Sequence, residues 1–199
     1  MRSAGRRKRL GLLVLALAAA SCTTSSAGSG TGATASGSLE QLRAAAHLPA
    51  CPAGLGNGLP KLTLRCLSGG PDVALRAQPP GQPTLVNIWA TWCPPCVHEV
   101  PLLVSFANDA QGKVGVVGVL TEDDPKLALK FATQFHMPYS SFLDDEGQVL
   151  RKFSAGPPVT LFIDPAGKIT FIKRGQIKSG TEIRALVRAH LQVDFAAAP

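Results

Sequence analysis

The chain has 199 residues, of which 45% are hydrophobic and 17% charged, a composition typical of one globular domain with a tail. Its formal net charge of +7 would suit a nucleic-acid-binding protein, but five of its 20 basic residues lie within residues 2–9. Without the first 21 residues, which contain no acid, the 15 remaining basic residues outnumber the 13 acidic residues by only two. They are scattered along the chain, which disfavours nucleic-acid recognition.

The first 21 residues have the organisation of an export signal. Basic residues at 2–9 precede LGLLVLALAAA, an uninterrupted apolar run at 10–20. A helix needs about 20 apolar residues to cross a bilayer, so this run has the length of a signal-peptide core and not of a membrane anchor. The sequence therefore predicts a signal peptide at 1–21, and export by the Sec or the twin-arginine route stays open.

The end of this run, Ala19-Ala20-Ser21-Cys22, resembles a bacterial lipobox, in which a cysteine receives lipid and becomes the first residue of the mature protein. We expect Cys22 to be lipidated and to anchor the protein to the outer face of the cell membrane. The alternative is a plain secretory signal that leaves the protein secreted or periplasmic. Residues 23–38 contain only Ser, Thr, Gly and Ala, so residues 22–38 are predicted to be a flexible linker before a domain at 39–199.

Apolar patterning predicts alternating strands and helices along this domain. Strands are expected at 61–67, 84–90, 114–121, 141–143, 159–163 and 168–173. Helices are expected at 39–48, at 94–108, from 124–125 onward and at 181–192. Residues 149–153 are expected to pair as a strand or to continue the one before them. The order predicts an α/β fold, with a mixed central sheet flanked by helices on both faces.

The five cysteines divide into three groups. An odd number in an exported protein needs an explanation, which lipidation of Cys22 supplies. Cys93 and Cys96 form a C-x-x-C motif, which leaves Cys51 and Cys66 for each other. A structural disulfide between them would stabilise the domain by about 3 kcal/mol in the chain-entropy model. Two buried free thiols are the alternative.

The segment Cys93-Pro94-Pro95-Cys96 lies where a buried strand meets a helix. At a helix N-terminus, unpaired N–H groups and the helix dipole lower the pKa of a thiol, which favours Cys93 as the attacking sulfur. Cys96 is nearly one turn further on and can close a disulfide with it. Pro94 and Pro95 stiffen the first turn without losing hydrogen bonds, and Trp92 is a flat apolar neighbour able to shield the site.

Other uses of a C-x-x-C motif fit less well. Structural zinc needs two further ligands, and Cys51 and Cys66 are not spaced like a second C-x-x-C. Covalent haem attachment needs His directly after the second cysteine, where this chain has Val97. We therefore expect no metal and no organic cofactor.

Residues 85–101, LVNIWATWCPPCVHEVP, resemble the active-site segment of the TlpA/ResA-like thiol–disulfide oxidoreductases of the thioredoxin superfamily. Residues 156–164 are similar to the G-x-P-x-T-x-x-I-D strand of that family, and Pro101 matches a proline that kinks its active-site helix. The resemblance covers residues 60–192. It implies a thioredoxin fold with an N-terminal β extension and a central β-α insertion.

The resemblance also implies roles for single residues. Pro158 corresponds to the cis-proline that faces the dithiol and leaves main-chain groups free for an extended substrate. Asn87 stands where thioredoxins often have an Asp that accepts a proton, a role that Asn cannot fill. Glu99 matches a glutamate of ResA-like proteins that assists proton transfer. We hypothesise that Glu99 exchanges a proton with Cys96, the alternative being a solvated helix carboxylate.

The function implied is thiol–disulfide exchange with protein substrates outside the cytoplasm. The resemblance favours a reductant in cytochrome c maturation that acts on apocytochrome c and exchanges electrons with a membrane protein. We expect the protein to be a monomer. One alternative is an oxidant that forms disulfides in exported proteins. Another is a copper or haem carrier, although copper-delivery relatives on this fold use C-x-x-x-C rather than C-x-x-C.

Overall fold

The structure, a computed structural model, describes residues 37–110 and 112–195. The signal peptide, the lipidation of Cys22 and all but the last two residues of the linker lie outside the described residues. The helices are α1 (Leu39–Ala46), α2 (Pro94–Ala110), α3 (Pro125–Gln134), α4 (Gln148–Phe153) and α5 (Gly180–Leu191). The strands are β1 (Thr63–Cys66), β2 (Val73–Ala74), β3 (Thr84–Trp89), β4 (Gly115–Thr121), β5 (Ser141–Asp144), β6 (Val159–Ile163) and β7 (Ile169–Arg174).

The seven strands form one mixed sheet in the order β2-β1-β5-β4-β3-β6-β7. Strand β4 runs parallel to both of its neighbours, β3 and β5. All the other neighbouring strands pair antiparallel. This arrangement confirms the predicted α/β class and mixed sheet. Within the part of the chain that the structure describes, no helix is both long and apolar enough to span a membrane.

Strand β3 is buried on both faces, which explains its nearly continuous apolar sequence. Leu85 and Trp89 belong to the core under α2, α3 and α5. Val86 and Ile88 point to a second core on the opposite face, which α4 and the segment before β1 cover. Because β3 leads directly into the C-x-x-C segment, this double burial gives the cysteines a rigid support.

The prediction of a strand or strand continuation at 149–153 is wrong, because residues 148–153 form helix α4. The buried carboxylate of Asp144 accepts the N–H groups of Val149 and Leu150 and so binds the start of this helix. Val149, Leu150 and Phe153 then pack into the second core. The two-residue strand β2 was not predicted either, since it exists only through its pairing with β1.

Candidate active site

The Cys93–Cys96 disulfide lies at the N-terminus of α2, and its two Cα atoms are 5.2 Å apart. The backbone N–H of Cys96 donates a hydrogen bond to Cys93 Sγ over 3.2 Å. This donor belongs to the first helical turn, where N–H groups have no intrahelical partner, and it would stabilise a thiolate at Cys93 after reduction. Cys93 is 3% exposed and Cys96 is 1% exposed. Both cysteines are therefore buried, and the N–H contact is what distinguishes Cys93 from Cys96.

The loop before Cys93 is held by the segment between β4 and α3. The Asp123 carboxylate accepts hydrogen bonds from the backbone N–H and the side-chain hydroxyl of Thr91. The indole N–H of Trp92 donates to the Glu122 carbonyl over 3.0 Å. With these bonds formed, 53% of Trp92 is exposed. Its ring is therefore not buried in the core and presents an apolar surface next to Cys93.

Pro158 lies immediately before β6, and the Pro157–Pro158 peptide bond is cis, as predicted. Strand β6 is antiparallel to β3, and its first residue, Val159, pairs with Ile88 near the end of β3. The same end of the sheet therefore carries both the cis-proline and the loop that leads to Cys93. Pro158 itself is buried.

Glu99 is fully buried on α2, three residues after Cys96. Its Oε1 accepts the backbone N–H of Ile177 over 3.2 Å, and its Oε2 has no hydrogen-bond partner among the described residues. Burial raises the pKa of Glu99 from 4.5 to about 7, although the Ile177 N–H, the Asn87 amide and the Lys173 ammonium favour the ionised form. The alternative of a solvated carboxylate is wrong. A carboxyl group with this pKa can give or take a proton at neutral pH.

Comparison with known proteins shows the family to which the chain belongs. The family model described as Redoxin matches residues 55–187, which is more than half of the chain.

The chain belongs to the Redoxin family.

Named relatives agree with the resemblance found in the C-x-x-C segment. The chain is 36% identical over 117 residues to the thiol:disulfide interchange protein DsbE of Pseudomonas fluorescens biotype C, covering 58% of this chain and 64% of the relative. It is 31% identical over 114 residues to the thiol-disulfide oxidoreductase ResA of Geobacillus thermodenitrificans, covering 56% of this chain and 63% of the relative. The matches thus span just under two thirds of these relatives.

A solved structure of MTB dsbF, in its mixed oxidized and reduced forms, shares the fold. It is 26% identical to this chain, with a TM-score of 0.57, and the match covers 70% of this chain and 98% of the dsbF chain. The predicted thioredoxin-like fold is therefore confirmed.

Asn87 lies in the interior of this Redoxin-family domain, on the sheet face that α2 and α5 cover. Its side-chain amide donates to the Thr160 hydroxyl over 3.1 Å, and the two residues are paired across β3 and β6. Asn87 is thus held in place by β6 and contributes a dipole near Glu99.

The Cys51–Cys66 disulfide is also present, with a Cα–Cα distance of 5.9 Å. Cys66 is the last residue of β1, so the bond ties the segment before β1 to the sheet, and the alternative of two free thiols is wrong. The hydroxyls of Ser68 and Ser140 donate to Cys66 Sγ over 3.1 and 3.3 Å, since a disulfide sulfur has no hydrogen to donate.

Two residues near the site, Asp123 and Tyr139, were not predicted from the sequence. Asp123 follows β4 and binds Thr91, which is 32 residues away in the chain. Tyr139 is buried, its hydroxyl has no partner among the described residues, and burial together with the charge of Glu99 raises its pKa. Neither residue lies in a motif. Only the pairing of strands brings them to this part of the molecule.

Proposed function

We propose that this Redoxin-family chain is an extracytoplasmic thiol–disulfide oxidoreductase that reduces disulfides in protein substrates. The observation that supports this most directly is the hydrogen bond from the Cys96 N–H to Cys93 Sγ at a helix N-terminus. It provides the electrostatic setting that a nucleophilic thiolate requires. The names of the DsbE and ResA relatives support the same class of activity.

The proposed reaction has two displacements. The Cys93 thiolate attacks one sulfur of the substrate disulfide, which forms a mixed disulfide and releases the other substrate sulfur as a thiolate. The Cys96 thiol then loses its proton and attacks Cys93 Sγ, which closes the Cys93–Cys96 disulfide and releases the second substrate sulfur. Two electrons pass from the dithiol to the substrate disulfide, and both substrate cysteines are left reduced.

Three further residues have supporting roles in this proposal. Glu99, three residues after Cys96 on the same helix, accepts the Cys96 proton in the second displacement, for which a pKa of about 7 is suited. Pro158 borders the site at the end of β3, where an extended substrate segment pairs with the main chain. The exposed indole of Trp92 supplies apolar contact to that segment.

The resemblance to ResA-like proteins makes apocytochrome c the favoured substrate and cytochrome c maturation the favoured process. A membrane protein would then return electrons to the Cys93–Cys96 pair. The signal-like segment at 1–21 and the lipobox-like Cys22 support a place at the outer face of the cell membrane. In that arrangement the linker at 22–38 gives the domain reach from the membrane surface.

A redox titration of the Cys93–Cys96 pair in the exported form tests the direction. Thioredoxin-fold dithiols range from about −270 mV for reductants to about −120 mV for oxidants. We expect a potential near the thioredoxin end, together with reduction of a disulfide-bonded C-x-x-C-H peptide, the sequence to which c-type haem attaches. A potential near −120 mV with no reduction of the peptide would overturn the reductant and favour the oxidant.

A further inference from the structure

A row of polar side chains crosses the otherwise apolar sheet face beneath α2 and α5. Asn87 on β3 is paired with Thr160 on β6, and Thr160 is paired with Lys173 on β7. Phe162 lies two residues after Thr160 on β6, and Phe171 lies two residues before Lys173 on β7. Both phenylalanines pack in the core under α2 and α5. Because side chains alternate along a strand, the three polar residues share that face. The row leads from the buried interior to the edge of the sheet.

The row ends at the loop that covers Glu99. Residues 175–179 connect β7 to α5, and the N–H group that Glu99 accepts belongs to the buried Ile177 in the middle of this loop. The Lys173 ammonium lies 3.5 Å from Glu182 Oε1 and donates to the Gln176 carbonyl over 3.3 Å. Glu182 is therefore joined to the strand on which the loop begins.

Glu182 also binds the loop from its other end. It lies in the first turn of α5, and its Oε2 accepts the backbone N–H of Lys178 over 2.7 Å. The ion pair with Lys173 thus links the strand before the loop to the helix after it, and the loop between them presents Ile177 to Glu99. The contacts of Lys173 and Glu182 thus hold this loop over the buried carboxyl group.

The charged and titratable groups that face Glu99 come from several elements. Cys96 precedes it by three residues on α2, and Tyr139 approaches from the segment before β5. Lys173 on β7 favours the ionised form of Glu99, whereas Glu182 on α5 opposes it. Lys173 and Glu182 thus act on Glu99 with opposite sign while they make the same structural contact with each other.

We propose that Lys173 and Glu182 are positioning residues for Glu99: their ion pair holds the loop that presents the Ile177 N–H to the buried carboxyl group, and their opposed charges bias its protonation in opposite directions. One consequence of this proposal, the pH range in which Cys93 and Cys96 exchange disulfides, rests on the proposed function. The contacts around Glu99 do not depend on the proposed function, because they are present in the folded, oxidised protein.

The test is an NMR titration of the Glu99 side-chain carboxyl carbon in the oxidised full-length protein and its variants. We expect Lys173→Gln to raise the midpoint by about half a pH unit and Glu182→Gln to lower it by about the same amount, the size expected of a charge several ångströms away in a partly screened site. Lys173→Arg keeps the charge and is expected to restore the original midpoint. Lys178→Gln, which removes an exposed charge from the same loop, is the matched control and is expected to leave it nearly unchanged.

Opposite shifts separate an electrostatic role from a structural one. If the ion pair only held the loop closed, both variants would open it, expose Glu99 to water and lower the midpoint together. Shifts of the same sign, or no shift in either variant, would overturn the proposal. The pH dependence of Cys96 alkylation in the reduced proteins, located by mass spectrometry, is a separate readout. If this pH dependence does not change while the Glu99 midpoints move as expected, the proposed proton transfer from Cys96 to Glu99 is wrong. The proposed effect of Lys173 and Glu182 on Glu99 would still hold.

Discussion

The Cys93–Cys96 disulfide lies within the first turn of α2, whereas the Cys51–Cys66 disulfide joins an irregular segment to the end of β1. The first closes a sequence separation of three residues and the second a separation of 15. The sulfur of Cys93 accepts a helix N–H, and the buried carboxyl group of Glu99 lies about one turn beyond Cys96 on the same helix. The sulfur of Cys66 accepts two serine hydroxyls in the body of the fold.

We infer from this contrast that the surroundings of each disulfide, together with the length of chain that it closes, determine whether it exchanges or constrains the fold. A closure of three residues removes less entropy from the unfolded chain than one of 15, so the Cys93–Cys96 bond is expected to contribute less to stability than the Cys51–Cys66 bond. The N–H group that Cys93 Sγ accepts instead favours a thiolate there after reduction. The longer Cys51–Cys66 closure gives the larger constraint.

The largest effect is expected from Cys93→Ser. Serine cannot form a mixed disulfide, so we expect reduction of a protein disulfide to fall to the uncatalysed rate, measured by the release of substrate thiols. The matched control is the double variant Cys51→Ala/Cys66→Ala, assayed well below its melting temperature, which should keep its activity. Exchange that survives in Cys93→Ser would mean that another sulfur attacks.

The second prediction concerns stability. In the oxidised protein, Cys51→Ala/Cys66→Ala is expected to lower the free energy of unfolding by about 3 kcal/mol, because the unfolded chain regains the freedom of the longer loop. Cys93→Ala/Cys96→Ala is expected to cost about 2 kcal/mol on the same grounds. Urea denaturation under non-reducing conditions measures both. A larger loss from the Cys93–Cys96 pair would reverse the comparison between the two bonds.

The third prediction concerns the pH dependence of stability that Glu99 creates. Its pKa is about 7 in the folded protein and near 4.5 when unfolded, so the native state binds more protons between these values and stability falls as the pH rises. Relative to Glu99→Gln, the wild type is expected to lose about 2 kcal/mol of unfolding free energy between about pH 5 and pH 7.

Denaturation curves of the two proteins at several pH values, with both disulfides formed, provide this measurement. Curves that stay parallel across the range would show that Glu99 titrates as an ordinary exposed carboxyl group.

The smallest effect is expected from Thr91→Val. This change removes the hydroxyl that donates to Asp123 and keeps the shape of the side chain and the backbone N–H bond. We expect a loss of about 1 kcal/mol in unfolding free energy, the usual net value of one hydrogen bond. Thermal denaturation of the oxidised protein measures it, and a change above about 3 kcal/mol would indicate that the loop before Cys93 depends on this one contact.

Much of the fold follows from local patterns. The buried strand β3, the helix that begins at Pro94 and the hairpin of β6 and β7 all have clear apolar runs or turn residues, and the structure contains each of them. Helix α4 could not be recognised, because the Asp144 carboxylate that binds its first N–H groups lies before a turn. Its six residues contain too little periodicity to distinguish a helix from a strand.

The candidate site divides in the same way. The C-P-P-C motif and the cis-proline at Pro158 could be found because residue type and spacing carry them. The burial of Glu99 could not, since it depends on the loop that presents Ile177, 78 residues later in the chain. Asp123 was missed for the same reason, because its contact with Thr91 exists only once β3 and β4 are paired.

The most direct test is a redox equilibration of the oxidised protein in thiol buffers of increasing reducing strength, with free thiols alkylated and located by mass spectrometry. We expect Cys93 and Cys96 to be labelled together at a potential where Cys51 and Cys66 remain joined. Labelling of Cys51 and Cys66 first, or of all four cysteines in one transition, would contradict the assignment of one disulfide to exchange and the other to constraint.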